Sequence, residues 1–418
     1  MGKVEFAVRR IDNLYRAWAA VRSNVNASGQ ETFKAEVKSI SQNPIPHLRR
    51  IQNDLKRRQF AFEKQHAVLK TKSTGAKRPI VVSPINNRIV QRGILNVLQS
   101  ENDKITPLLG EIGNALRTRT SVGGIPKRGV AYGIKLIQEA LRSGATYYLR
   151  SDIRDFFTKV PKSEVTDFVQ KQTGDGDFVS LLEQALGTEL DNADEIKEYL
   201  YLFPLGDTGV PQGSSLSAFA GNVVLRDFDA LTNGRKITTI RYIDDFVILG
   251  ASEGAVKKAF SSAVTVLGNL GMQAYGPDEN PEKSKCGSIG NGFDFLGCTI
   301  RPNGVAPSKK SKRKLLTNIQ HDLSTGAFAI EEFALSAEPR RAGEAFAQII
   351  SRVDRKIRGW GDAFAFTDNR LPFDQMDQEI DRLIQEFNGR VRRAVNKASG
   401  DGKRRAQGVA LLKDTPRF

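Results

Sequence analysis

Two adjacent carboxylates, Asp244 and Asp245, stand in the tetrapeptide Tyr242-Ile243-Asp244-Asp245, between the apolar runs Ile237–Arg241 and Phe246–Leu249. Paired acids at a hairpin tip repel each other and lose hydration unless a cation compensates, so the arrangement suits a divalent-ion site. A solvated Asp-Asp turn is the plain alternative, and such a tetrapeptide also arises by chance. A third acid, Asp152, ends the strand-like run Tyr147–Asp152. If that strand neighbours the hairpin, three carboxylates converge and can hold two Mg²⁺ ions about 3.5–4 Å apart. One ion would activate a 3′-hydroxyl and the other would neutralise departing pyrophosphate. Asp155 reads as structural and Phe156 as core, whereas Phe157 is either core or an aromatic that stacks under a sugar and excludes its 2′-hydroxyl. The loop Gly209–Ser217, with Gln212 and Gly213, opens a helix where backbone can approach phosphate or a paired strand closely. An ordinary helix-start loop fits it equally well.

These residues need elements to position them. The spacing of Leu216, Phe219, Val223 and Phe228 predicts a helix, with Ser214 or Ser215 as its cap, and Ile237–Leu249 predicts two short strands around a turn at Ile243-Asp244. Val256, Phe260, Val264, Leu267 and Leu270 predict another helix, stopped by Gly271, and Phe293–Ile300 a further strand. This order implies an α+β domain with helices on one face of an antiparallel sheet. Upstream, the pattern predicts helices over 3–22, 47–62 and 88–98, with a short strand over 79–82. Downstream, Phe373, Met376, Ile380, Leu383, Phe387, Val391 and Val395 form one apolar stripe, beside a basic stripe of Arg382, Arg390, Arg393 and Lys397. The basic, Gly-containing tail 399–418 is expected to be loosely ordered.

The chain has 418 residues and a net charge of +16, unevenly spread. Residues 1–100 carry +13, 101–146 carry +3 and 301–418 carry +8, whereas 147–300 carry −8. An acidic centre between basic ends suits a cation-binding core flanked by phosphate-holding surfaces, although solvated charged faces would look similar. Two cysteines and three scattered histidines exclude a disulfide framework or a zinc fold and point to a reducing compartment. No run of about 18 apolar residues is present, so neither a membrane span nor a membrane partner is expected.

In order, these pieces resemble the reverse transcriptase family over most of residues 70–300. Tyr148–Phe157 resembles the first palm motif; Tyr242–Asp245 resembles the YxDD signature; Gly209–Ser217 is similar to the PQG motif. The resemblance implies a right-hand polymerase fold with fingers, palm and helical thumb. It implies that Asp152, the adjacent Ile153, Asp244 and Asp245 bind two Mg²⁺, with Mn²⁺ as a substitute. It also implies that Phe157 selects deoxynucleotides and that Gln212 contacts the nucleotide. Asn280-Pro281-Glu282-Lys283-Ser284 looks like the lysine-bearing motif, in which Lys283 protonates pyrophosphate. Lys77-Arg78-Pro79-Ile80 and Pro84 to Gln91 resemble finger motifs, with Arg78 facing the triphosphate, and Ser121-Val122-Gly123-Gly124 resembles a finger motif of the bacterial branch. Phe295-Leu296-Gly297 resembles the primer-grip hairpin, and Ile357-Arg358-Gly359-Trp360 a bacterial thumb signature. Tyr242, Gly213, Phe295, Leu296, Gly297, Arg390 and Arg393 are then expected to hold template and primer.

The expected division is a helical extension over 1–50, fingers over 51–146, palm over 147–300 (with finger elements in about 160–205), thumb over 301–398 and a basic tail. Ile243 stands where retron and intron relatives usually carry Ala, and Asn87 where many carry Asp. With so few Cys and His, a zinc-bearing endonuclease domain of the mobile-intron type is not expected. The expectation is a stand-alone, cytoplasmic RNA-directed DNA polymerase that uses dNTPs, copies a non-coding RNA into DNA and serves antiviral defence. An RNA-dependent RNA polymerase and an RNA-binding maturase or scaffold with a vestigial site are the competing readings.

Overall fold

The computed structural model describes residues 2–27, 31–71, 75–277, 279–335, 346–367, 369–407, 409 and 411–414. Its contacts divide the chain into two units, Met1–Gly287 and Ser288–Phe418. The first contains strands β1 (His66–Thr71), β2 (Lys77–Val82), β3 (Tyr147–Asp152), β4 (Ile237–Tyr242), β5 (Asp245–Gly250) and β6 (Lys285–Ser288). β1 and β2 form an antiparallel hairpin, and the others form a sheet in the order β4-β5-β3-β6. Side chains alternate along a strand, and on β5 both sets are buried. Phe246 and Ile248 join Leu149 and the Val256, Ala263 and Leu267 side chains of helix Glu253–Asn269 in the main core. Val247 and Leu249, facing the other way, are as fully buried. The hairpin tip is therefore carried on a strand locked from both sides. The first unit is α+β, with helices packed against an antiparallel sheet, the class that the sequence implied.

Several elements differ from the periodicity, each for a local reason. The helix expected over 3–22 is two, Lys3–Val8 and Ile11–Ala27. The Asn13 side-chain amide donates to Val8 O (2.9 Å) and Gly93 O (3.0 Å), taking a carbonyl that a continuous helix would have used. The Asp175 carboxylate accepts from the backbone N–H of Val4 (2.9 Å) and Glu5 (3.1 Å) at the start of the first helix. It also accepts from Phe178 N (3.1 Å), capping helix Gly176–Leu186. The expected 47–62 helix is Pro44–Lys56, followed by Arg58 in a left-handed conformation (φ 58°). The helix expected from Leu216 to Phe228 is split at Leu225 into Ser217–Val224 and Arg226–Leu231.

In the second unit, β7 (Phe293–Phe295), β8 (Cys298–Arg301) and β9 (Gly304–Pro307) form an antiparallel sheet. The single strand expected over 293–300 is thus a hairpin, turning at Leu296 and Gly297 with φ of 49° and 78°. Helices Lys309–Leu335, Phe346–Ala363 and Leu371–Lys397 share a core that includes Ile319, Ile349, Val353, Ile380 and Phe387. The tail begins with an ordered helix, Gly400–Ala406, capped by Ser399 and burying Ala406 in the same core, so its first part is not loose.

Candidate active site

β4 and β5 pair so that Tyr242 faces Asp245 across a two-residue turn, Ile243-Asp244. β5 pairs with β3 so that Asp245 faces Asp152. Ile153 N donates to Asp244 O at 3.0 Å, tying the turn to the end of β3. Beyond Asp152 the chain is held by Tyr275 N donating to Asp152 O (3.1 Å) and Arg154 N donating to Gln273 O (2.8 Å). Asp152, Ile153, Asp244 and Asp245 are therefore brought together at one end of the two central strands.

Their electrostatics show the crowding. Partial burial, then the charges of Asp244 and Asp152, push the Asp245 carboxyl up to about 7. Burial and the Asp152 charge also raise Asp244. The Lys283 ammonium pairs with Asp152 Oδ2. Burial alone would lower its pKa, but the Asp152 hydrogen bond and charge, with Asp245 behind, hold it above the ordinary lysine value. Lys283 sits on a turn built by Asn280, whose O and Oδ1 both accept from Lys283 N (3.0 and 3.2 Å). Ser284 Oγ fastens that turn to Arg150 O on β3 (3.1 Å). Among the described residues no trio of His, Cys, Asp and Glu side chains is gathered tightly enough to enclose an ion as it stands, and Asp152 is engaged by Lys283. The donor set is nonetheless oxygen-only and carries excess negative charge, which adds to burial in raising Asp244 and Asp245. It fits a hard divalent cation.

The predicted nucleotide contacts lie near this end of the sheet. Val81 N donates to Gln212 O and Arg78 Nε to Gln212 Oε1, both at 2.9 Å, so the β1–β2 hairpin is docked on the Gly209–Ser217 loop. Arg78 is also close enough for its charge to lower the Asp244 carboxyl, against the upward trend. Gly213 has φ 126°, and a Cβ there would come within 2.5 Å of Val81 O, so the docking requires glycine. The same loop is stitched to the segment after Asp152, by Val210 N to Phe157 O (2.6 Å) and Gly209 N to Val160 O (2.7 Å). Phe156 is buried core, while Phe157, edge-on to it at 5.3 Å, is half-buried. Asp155 is exposed in a left-handed conformation (φ 47°), makes no ion pair among the described residues, and its carbonyl accepts from Thr158 N at 2.9 Å.

Residues 68–300, more than half of the chain, match the family described as reverse transcriptase (RNA-dependent DNA polymerase). The chain belongs to the reverse transcriptase family. Among its curated relatives is an uncharacterised 91 kDa protein in the cob intron of Schizosaccharomyces pombe, 24% identical over 56% of this chain and 26% of that protein. Another is protein YkfC of Escherichia coli, 24% identical over 54% of this chain and 64% of that protein. The chain thus spans about a quarter of one relative and under two thirds of the other. Similar solved structures include apo telomerase from Candida tropicalis (TM-score 0.40, 14% identity, covering 59% of this chain and 55% of that one). A partial Cas6-RT-Cas1–Cas2 complex is also similar (TM-score 0.35, 21% identity, covering 65% and 44%).

The remaining candidates of this reverse transcriptase lie in the second unit. Phe295, Leu296 and Gly297 form the β7–β8 turn, with Gly297 O accepting from Ser308 N at 2.9 Å. Arg393 is exposed on helix Leu371–Lys397. Arg390 on the same helix is already engaged: Nε and Nη2 donate to Glu331 at 3.1 and 2.9 Å. Sequence reasoning missed Arg241 and Asp229, a buried ion pair directly behind the tetrapeptide. The available signal was a charge inside an apolar strand run, which is costly to bury unless paired.

Proposed function

We propose that this reverse transcriptase extends a DNA 3′-end on an RNA template with dNTPs. The observation that carries the reading is the register that sets Asp152 opposite Asp245 and beside Asp244. Reverse transcriptases generally use divalent metal ions, and here Asp152, Asp244, Asp245 and the backbone of Ile153 would hold them, with Mg²⁺ as two ions and Mn²⁺ as a substitute. When bound, the ions lower the pKa of the attacking hydroxyl and neutralise the leaving group. The chain's own residues do the rest. Arg78 and Gln212 orient the incoming triphosphate, Phe157 underlies the sugar, and Lys283, kept protonated by Asp152, gives a proton to departing pyrophosphate. Tyr242, Gly213, the Phe295–Gly297 turn and Arg393 hold template and primer, with Arg390 available only once it leaves Glu331. In this reading residues 51–146 are fingers, 147–300 palm and 301–398 thumb.

A non-coding RNA as template, a role in antiviral defence and a cytoplasmic location complete the proposal. A count of only two cysteines in 418 residues supports a reducing compartment. Among the described residues no helix is long and apolar enough to cross a membrane. The test is primer extension on an RNA template, with sequencing of nucleic acid that co-purifies with the chain. Asp244→Asn is expected to lose at least about 100-fold in extension rate. A variant that keeps its rate would sink the polymerase reading and favour a scaffold.

A further inference from the structure

Arg241 is wholly enclosed, one residue before the Tyr242–Asp245 tetrapeptide. A guanidinium so buried is tolerated only when its donors are met. Nε and Nη2 donate to Asp229 Oδ1 and Oδ2 at 2.7 and 2.5 Å, and Nη2 also reaches Ser121 Oγ (2.8 Å) and Asn222 Oδ1 (3.1 Å). Nη1 donates to the carbonyl of Ile243 at 2.9 Å. That carbonyl belongs to a residue with φ 62°, a left-handed conformation that β-branched side chains avoid.

Gly123 packs directly against the turn. A Cβ there would come within 2.6 Å of both Ile243 N and Cγ1. Gly123 is fixed in turn by Asn222 Nδ2, which donates to its carbonyl at 3.0 Å. Two backbone rungs, Arg241 N to Thr120 O and Val122 N to Arg241 O, both 2.9 Å, lay the 120–123 segment along β4. The Ser121–Gly124 motif therefore has its place behind the acidic turn. Buried ion pairs are weak evidence of stabilisation, since apolar replacements often serve as well, whereas backbone strain persists where the surroundings over-determine it.

We infer that Arg241, oriented by Asp229, is a positioning residue that clamps the Ile243-Asp244 turn in its left-handed form and so presets Asp244 and Asp245 for their ions, with Gly123 as the wall that admits Ile243. This rests on the proposed role of Asp244 and Asp245 as ion ligands.

The test uses the full chain without nucleic acid and measures Mn²⁺ binding by loss of the free-ion EPR signal, alongside primer-extension kcat and KM. Arg241→Gln is expected to weaken Mn²⁺ binding about tenfold and to lower kcat more than it raises dNTP KM. Asn occupies the left-handed region readily, so in an Ile243→Asn background the same change is expected to cost about threefold or less. Equal losses in both backgrounds, or unchanged Mn²⁺ affinity in folded Arg241→Gln, would overturn the inference. Should Arg241→Gln not fold, Gly123→Ala displaces the turn with the clamp intact and is expected to weaken Mn²⁺ binding similarly; unaltered binding there also overturns it. Asp244→Asn serves as the control on the parent reading. If it binds Mn²⁺ as tightly as the unaltered chain, the ligand assignment fails, and the clamp's purpose with it.

Discussion

Lys283 is the cation paired directly with Asp152, and that pairing decides its protonation. A pKa raised above the ordinary lysine value leaves the ammonium protonated throughout the neutral range, so it can donate a proton but does not limit rate by losing one there. Lys283→Gln is expected to lower kcat about 100-fold with little change in dNTP KM. Lys283→Arg keeps the charge but not a transferable proton, and is expected to resemble the Gln variant; a fully active Arg variant would reduce the role of Lys283 to charge alone. Phe157 carries the other residue-scale expectation. It is half-buried beside Phe156, at the turn stitched to the Gly209–Ser217 loop, so part of the side chain remains accessible. Phe157→Ala is expected to raise the rNTP/dNTP ratio of kcat/KM by about tenfold or more, and no change in that ratio would return the residue to plain core.

Elements were legible in the sequence where one local pattern determined them. β3, β4 and β5 have apolar residues bounded by acids, and the stripe from Phe373 to Val395 lies along one continuous helix, Leu371–Lys397. Where a distant partner decides, the pattern was silent. β6 is Lys-Cys-Gly-Ser, with no alternation to read, and forms only because β3 offers an edge. The break after Val8 depends on Asn13, and the turn at Ile243-Asp244 on Arg241, whose place in an apolar run signals a buried charge but not which partners it meets. Likewise the three acids were legible by type and order, but their juxtaposition depended on register. Asp175 shows the same dependence in a measurable form, because one carboxylate caps two helices that are far apart in sequence. Asp175→Ala is expected to cost about 2 kcal/mol, the sum of two modest caps, read as a lower denaturation midpoint with extension rate at 25 °C within about twofold. A midpoint shift no larger than that of a surface substitution would show that water replaces the carboxylate at one helix or both.

Across the whole molecule the net charge of +16 lies on the two ends, while residues 147–300 are acidic. Such a distribution makes nucleic-acid affinity a matter of counterion release, so log K is expected to fall linearly with log salt. The charges that contribute are those not already neutralised within the chain, and helix Leu371–Lys397 presents both kinds. Arg393 is exposed with no ion pair among the described residues, whereas Arg390 makes two hydrogen bonds to Glu331. If this helix grips the duplex, Arg393→Gln is expected to reduce the salt slope by about one, the contribution of one phosphate contact. Arg390→Gln is expected to leave the slope unchanged, because the arginine it removes is already spoken for. Glu331→Gln is the decisive variant: it frees Arg390 without adding a charge to the helix, and a slope steeper by about one would show that ion pairing sets which arginines reach the backbone. Fluorescence anisotropy of a labelled RNA–DNA duplex over a KCl series measures all three, and three indistinguishable slopes would remove this helix from the nucleic-acid surface.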